Sequence, residues 1–263
     1  MSRLLRSDFY RLFKSISFYV CSLILVVLVS GSAFLTEWSY RIIAESQGVT
    51  STSLTMFPDG ITYGLSMVSG GQAIIFMAIF IAIFVASEFS HGTMKNAVSK
   101  GFPRHQIYLS KIITMITATY IMLFLMFVFG TISAAIITGK FGELSGDFVG
   151  HMLMITGIEL LLHAALTAVY VLIANTIRNY GGAIAINIIG VSTFGVLIYQ
   201  LLELLFKNKI RFTTYSLQHN INYFSPSLTQ SGEDILRAVI VGVAFLTVTT
   251  VLGILAFKNT DVK

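Results

Sequence analysis

Charge is scarce in this chain. Only 11% of its 263 residues are Asp, Glu, Lys or Arg, while 55% are hydrophobic; a soluble domain carries about 25% charged residues. No soluble fold could cover so much apolar surface, so the solvent must be lipid. Cysteine is nearly absent as well. Cys21 stands alone in an apolar run, which excludes an internal disulfide and any cysteine-based metal site. Catalytic signatures are missing too. There is no Gly-x-x-x-x-Gly-Lys-Ser/Thr phosphate loop, no His-Glu-x-x-His and no aspartate-rich metal motif, and Gly142-Glu143-Leu144-Ser145-Gly146 puts its serine in the wrong place for a nucleophile elbow. The chain is therefore not expected to be an enzyme, to bind ATP by that route, or to hold a cofactor or metal of its own. The 17 Lys and Arg against 12 Asp and Glu would suggest nucleic acid in a soluble protein; in a membrane chain they report orientation, and no nucleic-acid partner is expected.

What is present is a series of long apolar runs. Residues 17–36, 63–86, 111–138, 150–174, 181–205 and 235–257 each hold about 20 or more residues, the number a helix needs to cross a ~30 Å hydrocarbon core. Residues 3–16 precede them, with Leu5, Phe9, Leu12, Phe13 and Ile16 at helical spacing and Arg3, Arg6, Arg11 and Lys14 mostly off that face. This reads as a basic amphipathic helix lying in the headgroup region. The leader and first run share features with a cleaved signal peptide, but the run is too long and further spans follow. Small residues opening the second run (Gly64, Ser66, Ser69, Gly70, Gly71) predict close helix packing there. Residues 206–234 read as a polar, aromatic-bearing outer loop. No internal repeat is visible. The expected fold is an all-α integral membrane domain of six transmembrane helices.

Six spans put both termini on one side. With the N-terminus inside, the inner segments hold Arg3, Arg6, Arg11, Lys14, Lys95, Lys100, Arg104, Lys111, Arg178, Lys258 and Lys263, which is 11 cations; the outer segments hold Arg41, Lys140, Lys207, Lys209, Arg211 and Arg237, which is 6. The bias favours an N-in, C-in topology. One acidic residue, Glu159, falls deep in a span, with His163 four residues on and so on the same helix face. A charge at that depth must pair, be protonated, or face protein or a wet cavity. Two readings stand: a pathway or proton-relay group, or a packing pair that locks two helices.

The longest polar interruption on the basic side is residues 87–110. It reads Glu88-Phe89-Ser90-His91-Gly92-Thr93-Met94-Lys95-Asn96, then Ser99-Lys100-Gly101-Phe102-Pro103-Arg104 and Ile107-Tyr108-Leu109-Ser110-Lys111. Together with the amphipathic leader and the six spans, this stretch resembles the ABC-2 type permeases of bacterial ABC exporters. The likeness is nearest to the small permeases of bacitracin resistance, lantibiotic immunity and peptide export. The architectural resemblance covers the whole chain, the sequence resemblance only about 88–111.

The resemblance implies a multi-pass protein of the bacterial cytoplasmic membrane. It implies a dimer of permease copies or paralogues, each seated on a separate ABC ATPase chain that binds ATP and Mg. It also implies that 3–16 is a connecting helix and that 87–110 carries the coupling helix docked on the ATPase. Glu88, Phe89, Gly92, Thr93, Met94, Lys95, Asn96, Lys100, Phe102 and Arg104 are the residues on which that docking is expected to rest. Gly92 and Thr93 suit a helix break and a new cap; Met94 to Lys100 then makes one or two turns, ended before Pro103. Met94 and Phe102 are candidate apolar plugs for the ATPase groove, while Lys95, Lys100 and Arg104 either meet its acidic residues or make an ordinary basic loop. Glu88 is expected to pair with a cation, for instance on the connecting helix. In that family, short re-entrant helices often fill the outer segment between spans five and six; the cations of 206–234 argue against a fully embedded pair here.

The expected function is that of the membrane subunit of an ATP-driven exporter of an amphipathic peptide, antibiotic or other hydrophobic cargo. Two alternatives differ in class: a non-pumping membrane sensor or immunity protein, and a proton-coupled carrier using Glu159 and His163. The carrier reading is weakened by the absence of an inverted repeat.

Overall fold

The computed structural model describes residues 1–46, 56–90, 92, 94, 98–142, 145–207, 211–224 and 230–258, with the side chains of 90 and 192–194 left aside. Among these residues the structure is helical and contains no strand. Six helices are long and apolar enough to cross a membrane, so the all-α, six-span reading holds.

The first helix, α1 (Ser2–Lys14), turns Leu4, Asp8 and Leu12 inward at i, i+4 and i+8. The protein-facing stripe is thus one position off the apolar pattern of the sequence: Phe13 and Ile16 are exposed, left for lipid. Ser15, in extended conformation, breaks the chain before α2 (Ile16–Ser46). That helix runs ten residues beyond the apolar stretch ending at 36. Buried Glu37 explains the extension: it pairs with Arg41 at 3.1 Å and accepts the Met56 backbone N–H at 3.0 Å. The far end of α2 is thereby tied to the returning chain.

The run 63–86 is not one helix. It is split into α3 (Gly60–Val68) and α4 (Gly71–Ser90) by a turn at Ser69 and Gly70. Asp59 caps α3, accepting the Thr62 N–H at 2.8 Å. The next helix, α5 (Arg104–Thr138), ends on a left-handed Gly139. Where α3 lies against α5, glycines meet. A Cβ on Gly130 would fall 3.3 Å from the Gly64 Cα, and one on Gly64 would fall 2.7 Å from the Phe127 carbonyl oxygen and 2.2 Å from Thr131 Oγ1. The small residues at this end do permit close packing, as van der Waals association of membrane helices favours.

Helix α6 (Gly146–Ile177) crosses back and ends at Arg178, a non-glycine residue in the left-handed region (φ 57°). Helix α7 (Tyr180–Leu205) carries a π-helical stretch, Ile186–Phe194, inside it. Buried Asn187 lies in that stretch and donates to the Ala78 carbonyl of α4 at 3.3 Å. Residues 206–234 are more than a polar loop. A 3₁₀ turn at Phe212–Tyr215 leads to α8 (Leu217–Tyr223). Leu217, Asn220, Ile221 and Phe224 are buried, and the Phe224 carbonyl accepts the Ser69 hydroxyl at 2.6 Å. The segment is therefore packed into the bundle at the break between α3 and α4. Of its cations, Lys207 and Arg211 sit at exposed positions before it, and Lys209 lies outside the described residues.

The last helix, α9 (Gly232–Lys258), packs on α6 and α5. Gly253 gives room to the buried Tyr108 ring, whose hydroxyl oxygen would lie 1.8 Å from a Cβ at that position. Between α5 and α6 the buried hydroxyls of Thr119 and Thr167 meet at 2.9 Å, and Tyr120 donates to the Leu160 carbonyl at 3.1 Å. These bonds join helices whose apolar faces gain nothing over lipid.

Gly64→Val is expected to destabilise the protein by about 1–3 kcal/mol through overpacking against the α5 backbone. Gly31→Ala, at a site with nothing within 4 Å, should leave thermal unfolding in detergent near wild type. Equal melting temperatures for the two variants would contradict this packing.

Candidate functional site

Asp8 and Arg11 lie one turn apart on α1, Glu88 at the end of α4, and Ser110 and Lys111 in the second turn of α5. The fold brings all five together. Lys111 Nζ lies 2.6 Å from Glu88 Oε1 and also pairs with Asp8 Oδ1, while Arg11 Nη2 pairs with Glu88 Oε1. The Ser110 hydroxyl donates to Asp8 Oδ2 at 2.5 Å. Two cations and two carboxylates thus neutralise one another inside the protein: Asp8, Glu88 and Lys111 are buried, and Arg11 keeps 32% of its side chain exposed. The Arg11 guanidinium also lies over the Phe84 ring, 3.9 Å from its centroid, a favourable cation–π geometry.

This cluster joins α1 to both helices that flank residues 91–103. Two further contacts tie down the rest of the same end. Arg178, at the turn from α6 to α7, stands over the Phe89 ring at 5.6 Å. Arg104 donates to the Lys258 carbonyl at 2.7 Å and lies 3.4 Å from the Phe257 carbonyl, neutralising the C-terminal end of α9 as a cation there should. The expected pairing of Glu88 with the N-terminal helix is therefore present. The N-terminal helix and the end of the last span lie at one end of the bundle.

Between these ties the chain turns twice through conformations that favour glycine. Gly92 has φ +68° and Gly101 φ +78°; their N–H groups donate to the Phe89 and Val98 carbonyls at 3.3 and 3.0 Å. Met94, Val98 and Ser99 are helical, and Lys100 sits in the closing turn, exposed with Ser99 and Gly101. Thr93, Lys95 and Asn96 lie outside the described residues, so the expected Thr93 cap has no counterpart to compare. Met94 does not project outward as a plug would. Met94 is 2% exposed within the chain's own core, and half-buried Phe102 packs against that core. An apolar side chain on a short surface helix anchors it to its own bundle when core lies beneath it.

Asp8 and Lys111 were not singled out from the sequence. The signal was there: Asp8 interrupts an i, i+4, i+8 stripe between Leu4 and Leu12, and a carboxylate on a buried stripe requires a cation.

Glu159 and His163 form the second candidate, midway along α6. Both are buried, at 1% and 0% exposure. His163 Nδ1 lies 2.8 Å from the Glu159 backbone oxygen and 3.2 Å from Glu159 Oε2. That contact brings the two side chains together without a well-formed bond: neither carboxylate oxygen has a hydrogen-bond partner among the described residues, nor does His163 Nε2. Glu159 also lines a cavity of about 410 Å³ bounded by α3, α5 and α6. Among the described residues no cluster of three or more His, Cys, Asp or Glu could hold a metal.

Residues 13–195 match a family model described as ABC-2 family transporter protein. The matched region begins near the end of α1 and includes the charge cluster partners Glu88, Ser110 and Lys111, the Gly92–Gly101 segment and Glu159. A comparison with curated proteins gives no match.

Glu88→Gln is expected to cost about 3–5 kcal/mol, because it leaves the buried Lys111 without one of its two carboxylates and Arg11 without its acid. Arg11→Gln should cost less, since Arg11 is a third exposed. Thermal unfolding of both variants in nanodiscs checks the order, and a larger loss for Arg11→Gln would contradict the arrangement.

Proposed function

The chain belongs to the ABC-2 family of transporter proteins and is a multi-pass membrane component of a transport system; from that premise we propose that it is the permease subunit of an ATP-driven exporter, energised through residues 88–104. Members of this family normally work with an ABC ATPase. A partner on the inner face must move several helices together by pressing on one short element. One observation carries the reading: the helices flanking residues 91–103 are joined to each other and to α1 by buried ion pairs, with Phe89 and Arg104 reaching the α6–α7 turn and the end of α9.

The mechanism follows from stiffness. Glu88 and Lys111 cannot part without exposing two charges to a low-dielectric interior, which costs several kcal/mol per ion. A push on the Gly92–Gly101 segment therefore displaces α4, α5 and α1 as a body rather than bending the loop. Gly92 and Gly101 supply the sharp turns, and Met94 and Phe102 hold the segment down on its own bundle. The contact surface offered to the ATPase is then polar: Ser99 and Lys100 are exposed, and Lys95 belongs to the same segment. Glu88, Phe89 and Arg104 act behind that surface as transmitters.

The basic end of the bundle faces the cytoplasm, so both termini lie on the inner side of the bacterial cytoplasmic membrane. A second permease copy or paralogue completes the pathway as a dimer. The cargo is hydrophobic or amphipathic, an antimicrobial peptide or antibiotic among the candidates.

Buried Cys21 leaves a clean background for thiol chemistry, so a cysteine placed at exposed Ser99 reports on docking. Ser99→Cys is expected to cross-link to the partner ABC ATPase chain, and Lys100→Glu to reduce ATPase copurification and ATP-dependent transport at least several-fold without altering membrane insertion. Undiminished copurification together with no cross-link would reject the docking surface. Protection that persisted without any ATPase would favour a sensor or immunity protein, and transport that followed the proton gradient but ignored ATP depletion would favour a carrier.

A further inference from the structure

The ion cluster at the basic end is hydrogen-bonded within itself, whereas Glu159 has His163 Nδ1 at 3.2 Å from Oε2 but no well-formed hydrogen bond to either oxygen among the described residues. We propose that the cavity beside Glu159 is a membrane-facing binding site for an amphipathic cation, an apolar body carrying one protonated amine that completes the carboxylate's hydrogen bonding. The site lies within a single copy of the chain and is distinct from the cytoplasmic docking segment.

The walls set the body of the ligand. Leu65 and Val68 of α3, Leu123 and Phe127 of α5, and Ile155 of α6 line the space, and about 410 Å³ lies within the range of small-molecule sites. Phe124 and Leu153 border it and are 64% and 69% exposed, so the cavity opens sideways on the apolar surface of the bundle. A ligand partitioned in the bilayer can reach it without passing through water.

Glu159 sets the head. Thirteen residues into α6, it sits ~20 Å along the helix at 1.5 Å per residue, far from headgroup water. Neither of its oxygens has a hydrogen-bond partner among the described residues, although buried polar groups are normally satisfied. Its neighbours do not close that gap. His163 Nδ1 is directed at the i−4 carbonyl, the Tyr120 hydroxyl donates to Leu160, and the Ser69 hydroxyl donates to Phe224. An ammonium group offers three donors and the opposite charge. An anionic head would meet a carboxylate, and a plain acyl chain would leave both oxygens bare.

The chain alone, in nanodiscs of zwitterionic lipid and without ATPase, tests this by equilibrium dialysis. Radiolabelled 4-phenylbutylamine and its neutral counterpart 4-phenylbutanol are compared, with empty nanodiscs subtracted. The expected result is saturable amine binding at least about tenfold tighter than that of the alcohol, a difference of about 1.4 kcal/mol. In Glu159→Gln the amine should fall to the level of the alcohol. Leu153→Trp, at the exposed mouth, should weaken amine binding while leaving melting unchanged.

Equal binding of amine and alcohol to the wild type would overturn the proposal, because the cavity would then take apolar chains of any head. So would amine preference retained in a folded Glu159→Gln protein, or amine binding unaffected by Leu153→Trp. No ATPase is present in these assays, so their outcome is independent of whether the exporter reading stands.

Discussion

A charge buried inside a protein needs a partner, and that requirement organises one end of this chain. Asp8, Arg11, Glu88 and Lys111 come from three helices and sum to zero charge. Removing any one of them strands another. The cluster is therefore cooperative in a way that apolar packing here is not, because Leu against Leu and Leu against lipid differ little in free energy. The apolar faces let the helices assemble in many registers; the ion pairs specify one. They also help fix where α1 lies, adding charge pairs to the inward packing of Leu4 and Leu12 against the bundle.

Polar ties are unequally distributed between the ends of the bundle. At the basic end they connect different helices: α1 to α4 and α5, the α6–α7 turn to α4, and α5 to the end of α9. At the opposite end several are local. Asp234 pairs with Arg237 three residues on, Asp59 caps its own helix, and Glu37 holds Arg41 one turn away. Deeper in, the arrangement departs from continuous helices. Span two breaks at Ser69, the break is met by the Phe224 carbonyl, and α7 winds as a π-helix where Asn187 reaches α4. Breaks in transmembrane helices are tolerated where neighbouring groups re-satisfy the freed polar atoms, and a π-stretch marks a place where a helix is less regular than its length requires. The ties between helices gather at one end, while the irregular turns of the helices lie in the interior.

The sequence made legible what hydropathy and charge encode directly. Six apolar runs gave six spans, the glycines opening the second run gave its close approach to α5, and Glu88 on the basic side gave a pairing with the N-terminal helix. Facing was much less legible. In water, an apolar position on a helix points to the core; in lipid it points either way, and no periodicity separates Leu12, fully buried, from Phe13, exposed. The same ambiguity made Met94 read as an outward plug. The division of 63–86 at Ser69 was hidden because Ser and Gly are ordinary packing residues in membrane helices, and the Phe224 carbonyl that Ser69 meets there lies far off in sequence. Residues 206–224 carried too many cations to look embedded, but those cations lie before the buried turn, not within it.

The contrast between the two buried acidic sites bears on what each is for. Both face the same solvation penalty, of several kcal/mol for an unpaired ion. At Glu88 the penalty is met by Lys111 and Arg11, and the result is a joint that resists opening. At Glu159 the one basic neighbour on its own helix, His163, has Nδ1 on the backbone and leaves Nε2 without a partner. A pair that existed only to lock helices would gain by bonding across to α4 or α5, as Thr119 does to Thr167 one turn away. Glu159 makes no such bond among the described residues. Its carboxylate borders a cavity instead, and an arrangement that leaves acceptors unmet beside open space is stabilised by whatever enters that space with a donor. The packing reading accounts for the burial of Glu159, but not for the two oxygens left unbonded.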